Sequence, residues 1–189
     1  MKKIWLLLAA LALLLTGCGR QDRHPEWEEE WTRFGDLTAV EAPENFAPGE
    51  YNDALSLNGI WYATWICGEP RSVQTAGDED ATAYGAQIYL LVRECGSEDE
   101  AKASISDWIE RESQSYETGD GYELSAAGQR FSCLPLLSAS AENPYSHGAA
   151  AFAVRGELAV SAELLCAEGF DGEAQTILEQ FLNGIHYGE

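Results

Sequence analysis

Two stretches constrain the fold of this chain more than any other feature. Read as a strand, Ile60-Trp61-Tyr62-Ala63-Thr64-Trp65-Ile66-Cys67 puts Ile60, Tyr62 and Ile66 on one face and Trp61, Ala63, Trp65 and Cys67 on the other. Ala86 to Val92 is likewise apolar on both faces. A strand with one wet face alternates apolar and polar residues, whereas one buried on both sides does not. Such strands need cover on each side of the sheet, and helices are the usual cover. The chain supplies two. Ser97 with Glu100 three residues on forms a capping box and predicts a helix over about 98–116. Its stripe is Ala101, Ile105, Trp108 and Ile109, with Asp107, Glu110 and Arg111 facing out. A second helix, capped by Asp171, repeats Ala174, Ile177, Leu178, Phe181, Leu182 and Ile185 at helical spacing.

Turn signals place the other strands. Asn58-Gly59 between Ala54–Leu57 and Ile60–Cys67 predicts a hairpin. Further strands are expected at 122–126, 129–138, 149–155 and 157–166, the last two joined by a tight turn at Arg155-Gly156. Residues 68–84, with Pro70, Gly77 and Asp78-Glu79-Asp80, read as a long loop, and loops beyond about 12 residues are commonly functional or mobile. A second loop covers 139–148, where Tyr145-Ser146-His147-Gly148 reads as a turn. The expected fold is α+β: a mainly antiparallel sheet flanked by helices, in one globular domain over 50–189.

The N-terminus reads as an address. Met1-Lys2-Lys3 is basic, Ile4 to Leu15 carries no charge, and Leu15-Thr16-Gly17-Cys18 follows. This is the layout of a secretory signal. The run is too short for a membrane span, which needs about 20 apolar residues. Leu15-Thr16-Gly17-Cys18 resembles the lipobox of bacterial lipoproteins. The resemblance implies that 1–17 is a cleaved signal peptide and that Cys18 is the lipid attachment site. The chain would then be held by acyl chains, palmitate among them, at the extracytoplasmic face of the cell membrane. Residues 18–49 then form the lipidated cysteine, a tether over 19–24, a short acidic helix from Pro25 with Trp27, Trp31 and Phe34 on one side, and a loop over 41–49.

The order of elements over about 50–187 is an opening hairpin, a long loop, a strand, a helix capped at Ser97-Glu98-Asp99-Glu100, an antiparallel meander and a final amphipathic helix from Phe170-Asp171. It resembles the PsbP-like α/β/α sandwich, a fold shared by small bacterial envelope lipoproteins and photosystem extrinsic proteins. That resemblance implies a binding or accessory role without enzyme activity. It carries over no site residue.

Composition excludes some partners. The formal net charge is −21, and loss of Lys2 and Lys3 with the leader makes it two more negative. Such a surface repels nucleic acid, whose phosphates need Lys and Arg, and anionic lipid head groups. Besides Cys18 there are Cys67, Cys95, Cys133 and Cys166, which in an exported chain allow three pairings. Each lies in or at the end of an apolar run, and the chain is long enough to fold without bridges, so buried thiols are expected. If the strands ending at Cys67 and Cys95 are adjacent and antiparallel, these two sit about 23 Å apart at about 3.3 Å per residue. A bridge needs Cα atoms within about 7 Å.

Motifs for chemistry are absent: no GxSxG, HExxH, Walker loop or GxGxxG before a helix. A loop opening at Asp78 departs from the calcium pattern at Ala83 and Tyr89. Ser146-His147 is the one pair for nucleophilic catalysis, and neighbours in a chain do not easily face each other. No catalytic, metal or cofactor-binding residue is assigned, and no cofactor is implied. The expectation is an envelope lipoprotein with a non-enzymatic binding or accessory role. Its ligand or protein partner would engage the 68–84 and 139–148 loops. The alternative is an envelope hydrolase using acidic residues. A cleft with buried, perturbed carboxylates would speak for the hydrolase, an exposed apolar patch for a protein partner.

Overall fold

The two-faced strands lie side by side at the heart of one sheet. The computed structural model describes residues 37–52, 59–74, 80–138, 140 and 143–188. The signal, Cys18, the acidic helix, the strand over 54–57, and Asp78 and Glu79 lie outside the described residues. The strands are β1 (Leu37–Val40), β2 (Ala47–Asn52), β3 (Ile60–Cys67), β4 (Arg71–Gln74), β5 (Asp80–Ala83), β6 (Ala86–Glu94), β7 (Tyr116–Thr118), β8 (Tyr122–Ala126), β9 (Gln129–Ser138), β10 (Tyr145–Arg155), β11 (Leu158–Ala167) and β12 (Ile185–Tyr187). The helices are α1 (Glu98–Ser115), between β6 and β7, and α2 (Ala174–Asn183), between β11 and β12. The main sheet runs β2-β3-β6-β11-β10-β9-β7, with β8 also pairing β9. Every pairing is antiparallel. The fold is therefore α+β, mostly antiparallel sheet with two helices.

Topology explains the length of α1. From β6 the chain crosses to β7 on the far side of the sheet, and β9, β10 and β11 later fill the gap. A crossover of that span needs a long element, and α1 has 18 residues. It starts as expected, with Glu100 N donating to Ser97 Oγ at 3.2 Å. The return bond goes one residue further back, from Gly96 N to Glu100 Oε2 at 2.8 Å.

Alternation splits the core in two. On one face Trp61, Trp65, Ile88, Leu90, Val160 and Leu164 pack with Leu178, Phe181 and Leu182 of α2. On the other, Ala150, Phe152, Ala159 and Leu165 pack with Ala101 and Trp108 of α1. The Trp65 and Phe181 rings meet edge-on at 5.0 Å. Helices on both sides explain why β10 is rich in alanine. Ala149, Ala151 and Ala153 face α2 while Ala150 faces α1, and small side chains let both helices approach. Gly148 answers a different constraint, since a Cβ there would overlap the Leu164 carbonyl oxygen of the adjacent β11.

Four expectations are corrected. On the side away from β6, β3 pairs with β2, so 47–49 is strand rather than loop, with Asn52 opposite Tyr62. Ahead of it β1 pairs with β12. Residues 68–84 hold a hairpin, with Arg71 opposite Ala83 and Gln74 opposite Asp80; short polar strands lack the apolar alternation that reveals larger ones. Tyr145 to Gly148 open β10 instead of forming a turn, because Ser146 is an extra residue in a β-bulge against β11. The N-cap of α2 is Glu173 rather than Asp171, and its side chain makes no capping bond.

Candidate functional site

The site follows from how little of a sheet one helix covers. A helix is about 10–12 Å across, while strands lie about 4.8 Å apart. α1 packs over β10 and β11 and leaves the same face of β6 and β3 beside it. The step holds a pocket of about 250 Å³. Trp108, Arg111, Glu112 and Ser115 of α1 form one wall. Tyr62 of β3, Tyr89 and Leu91 of β6, and Ser161 and Glu163 of β11 form the other. Register explains the grouping: Tyr62 is opposite Leu91, Leu91 is opposite Ser161 and Tyr89 is opposite Glu163. All five side chains therefore leave one face of the sheet in two adjacent rows. The Tyr62 and Tyr89 rings tilt together at 5.8 Å.

Two carboxyl groups meet in this pocket. Glu163, on a strand, and Glu112, on the last turns of α1, both line it and lie within interacting reach of each other. Two carboxyl groups so placed are favoured with one proton between them. Burial holds it there first, because a charged carboxylate loses its water in an apolar pocket, and Glu112 adds repulsion; together they push Glu163 up to about 8. Burial raises Glu112 as well, and the Arg111 charge acts against that rise. The proton belongs to the pair and resides mainly on Glu163. Nearby phenols follow the same physics. Tyr89 is raised by burial, and Tyr116 is pushed up to about 12 by burial with Glu163 contributing.

The sequence named other places. The 68–84 and 139–148 segments do converge: Tyr84 N donates to the Tyr145 hydroxyl at 3.3 Å, and that hydroxyl donates to Gln87 Oε1 at 2.8 Å. None of the described residues of either segment lines the pocket. Ser146 Oγ and His147 Nδ1 lie 2.9 Å apart, which corrects the expectation that chain neighbours do not face each other. The bulge turns two successive side chains the same way. The pair stands apart from the pocket.

The cysteines sit as their strands dictate. Cys67 is opposite Ala86 in β6, at the other end of that strand from Cys95. Ala86 is in turn opposite Cys166, so Cys67 and Cys166 flank it on one face, two strand spacings apart. All four thiols are free, three of them buried. Burial pushes Cys133 up to about 11 and Cys166 up to about 12. Among the described residues no three His, Cys, Asp or Glu side chains converge on a metal position. Among them too, no helix is long and apolar enough to cross a membrane, and Leu137 is the one large apolar side chain left exposed.

Glu112 and Glu163 were missed because acidic residues abound, and no spacing links a helix position to a strand position. A signal was present: Ser161 and Glu163 are polar in a strand otherwise apolar on both faces, Val160 to Cys166. A carboxylate in a strand buried on both sides needs a partner or a purpose. The architecture and the pocket define an α+β protein with a small aromatic and acidic cavity. No family model matches this chain, and no curated protein matches it either.

Proposed function

We propose that this chain is a cell-envelope lipoprotein, anchored through Cys18 at the extracytoplasmic face of the membrane, that binds a small ligand in the pocket beside α1. The observation that carries the reading is the Glu112–Glu163 pair walled by Tyr62, Tyr89 and Trp108. Polar groups converging in an aromatic-lined concavity are the ordinary make-up of a small-molecule site. Perturbed carboxylates in a cleft also suit a hydrolase. The contact between them argues against glycoside hydrolysis, which needs its two carboxyl groups about 5 Å or more apart to admit a nucleophile or water. Two helices on opposite faces of an antiparallel sheet support the PsbP-like reading, whose members are mostly binding or accessory proteins.

The anchor is tested by expressing the full chain in a bacterium. The mature N-terminal peptide should begin at Cys18 and carry the mass of a diacylglyceryl group. Cys18→Ser should leave uncut precursor or released protein. Labelled fatty acid on the Cys18→Ser protein would overturn the lipoprotein reading. The pocket is tested by titrating the protein with small aromatic cations, neutral analogues and anions and measuring the heat of binding.

A further inference from the structure

We infer that the pocket beside α1 takes a primary ammonium group, which replaces the proton shared by Glu112 and Glu163 and rests against the faces of Tyr62, Tyr89 and Trp108. This rests on the reading of the pocket as a binding site and names what it binds. Two carboxyl groups held in contact in a partly buried site cannot both ionise without a cation between them. In the free protein a single proton does that work. An alkylammonium brings three N–H donors, enough to bridge both carboxyl groups. The aromatic walls add attraction between ring faces and a cation, which strengthens where water is excluded. Arg111 acts on Glu112 but is exposed; its planar guanidinium stands at the mouth while the interior keeps its acidic pair. The body of the ligand would lie against Leu91 and the tyrosine rings.

The exchange balances. The ligand enters protonated, the proton leaves the carboxyl pair for solvent, and both carboxylates remain ionised around the ammonium. Groups around the pair are Arg111 from α1, Tyr62 from β3, Tyr89 from β6 and Tyr116 from β7. Burial raises the phenols of Tyr89 and Tyr116. They stay neutral near pH 7. The pair is then the group that titrates.

The experiment is isothermal titration of the mature lipoprotein in non-ionic detergent with benzylammonium, benzyl alcohol and benzoate, micelles alone being subtracted. Phosphate and MOPS, whose ionisation enthalpies differ, count protons. Benzylammonium should bind at least about tenfold more tightly than the other two and release close to one proton at pH 7. Its affinity should rise from pH 6 to pH 8, because the proton it displaces is then held less. Glu163→Gln, which keeps the shape of the protonated acid, should weaken benzylammonium about tenfold or more and abolish the proton release. The pH series on the unaltered protein tests the same exchange without a variant. Benzyl alcohol or benzoate binding as tightly, or benzylammonium binding without proton release, would overturn the ammonium assignment and leave the binding site standing. Heat from none of the three would overturn both.

Discussion

Glu163 is the residue on which the pocket turns, and its cost to the fold is measurable. Its proton is held up to about 8 in the folded chain, against about 4.3 when unfolded. Between those values the folded state binds more protons than the unfolded one, so stability falls as pH rises. Full stability from this group is present below about pH 4 and is lost progressively towards pH 8. Subtracting the Glu163→Gln variant isolates it from the titration of surface acids. In urea melts, wild type should lose stability relative to Glu163→Gln between pH 5 and pH 8, by on the order of a few kcal/mol. A constant difference across that range would show that the pair holds no proton. The cysteines make a second prediction at this scale. Cys133 and Cys166 are buried with raised pKa values, while Cys67 is half-buried. Thiolate is the reactive form. Iodoacetamide should therefore label Cys67 first in the native protein, and Cys133 and Cys166 only in denaturant without reductant. Peptide mass spectrometry reads both the order and any bridge.

At the scale of elements, α2 is the more amphipathic helix and covers the larger core. Phe181 is fully buried and meets Trp65 edge-on. Phe181→Ala should destabilise the domain by about 3–5 kcal/mol in denaturant melts. A loss under about 1 kcal/mol would show that α2 can leave the sheet without unfolding it. This stripe, like that of α1, was legible because apolar residues recur at helical spacing over several turns. Strands β3, β6, β8, β9 and β11 were legible because apolar runs end at turn residues. What escaped lacks such patterning. The β4–β5 hairpin is short and polar, and β1 and β12 are strands of a few residues that find each other only across the whole chain. The bulge at Ser146 is a register effect, set by how β10 meets β11. The pocket is less legible still. Glu112 and Glu163 meet because a crossover helix passes over a strand inserted after it in sequence, so their contact is a product of topology. Only the polar break at Ser161 and Glu163 hinted that one face of β11 does more than pack.

For the whole molecule, charge sets a background against which any specific site must be seen. A chain of net charge −21 repels itself, and compaction brings the like charges closer. Salt screens this repulsion, with a Debye length near 8 Å at physiological strength. The thermal midpoint should therefore rise by several degrees as sodium chloride goes from about 10 to 500 mM. The form of the response separates screening from binding. Screening depends on ionic strength, whereas a site depends on the ion. Asp78-Glu79-Asp80 begins like a calcium loop but has Ala83 where the turn needs glycine and Tyr89 where the last carboxylate would close the shell. Among the described residues no cluster of three or more His, Cys, Asp or Glu is built for a metal ion. Calcium, magnesium and sodium chlorides at equal ionic strength should thus shift the midpoint nearly alike, apart from the stronger screening by divalent ions that calcium and magnesium share. A rise produced by calcium well beyond that of magnesium, saturating at low concentration, would mark a metal site in the acidic sequence around Asp78-Glu79-Asp80. In that case the hairpin would join the pocket as a second binding element of the molecule.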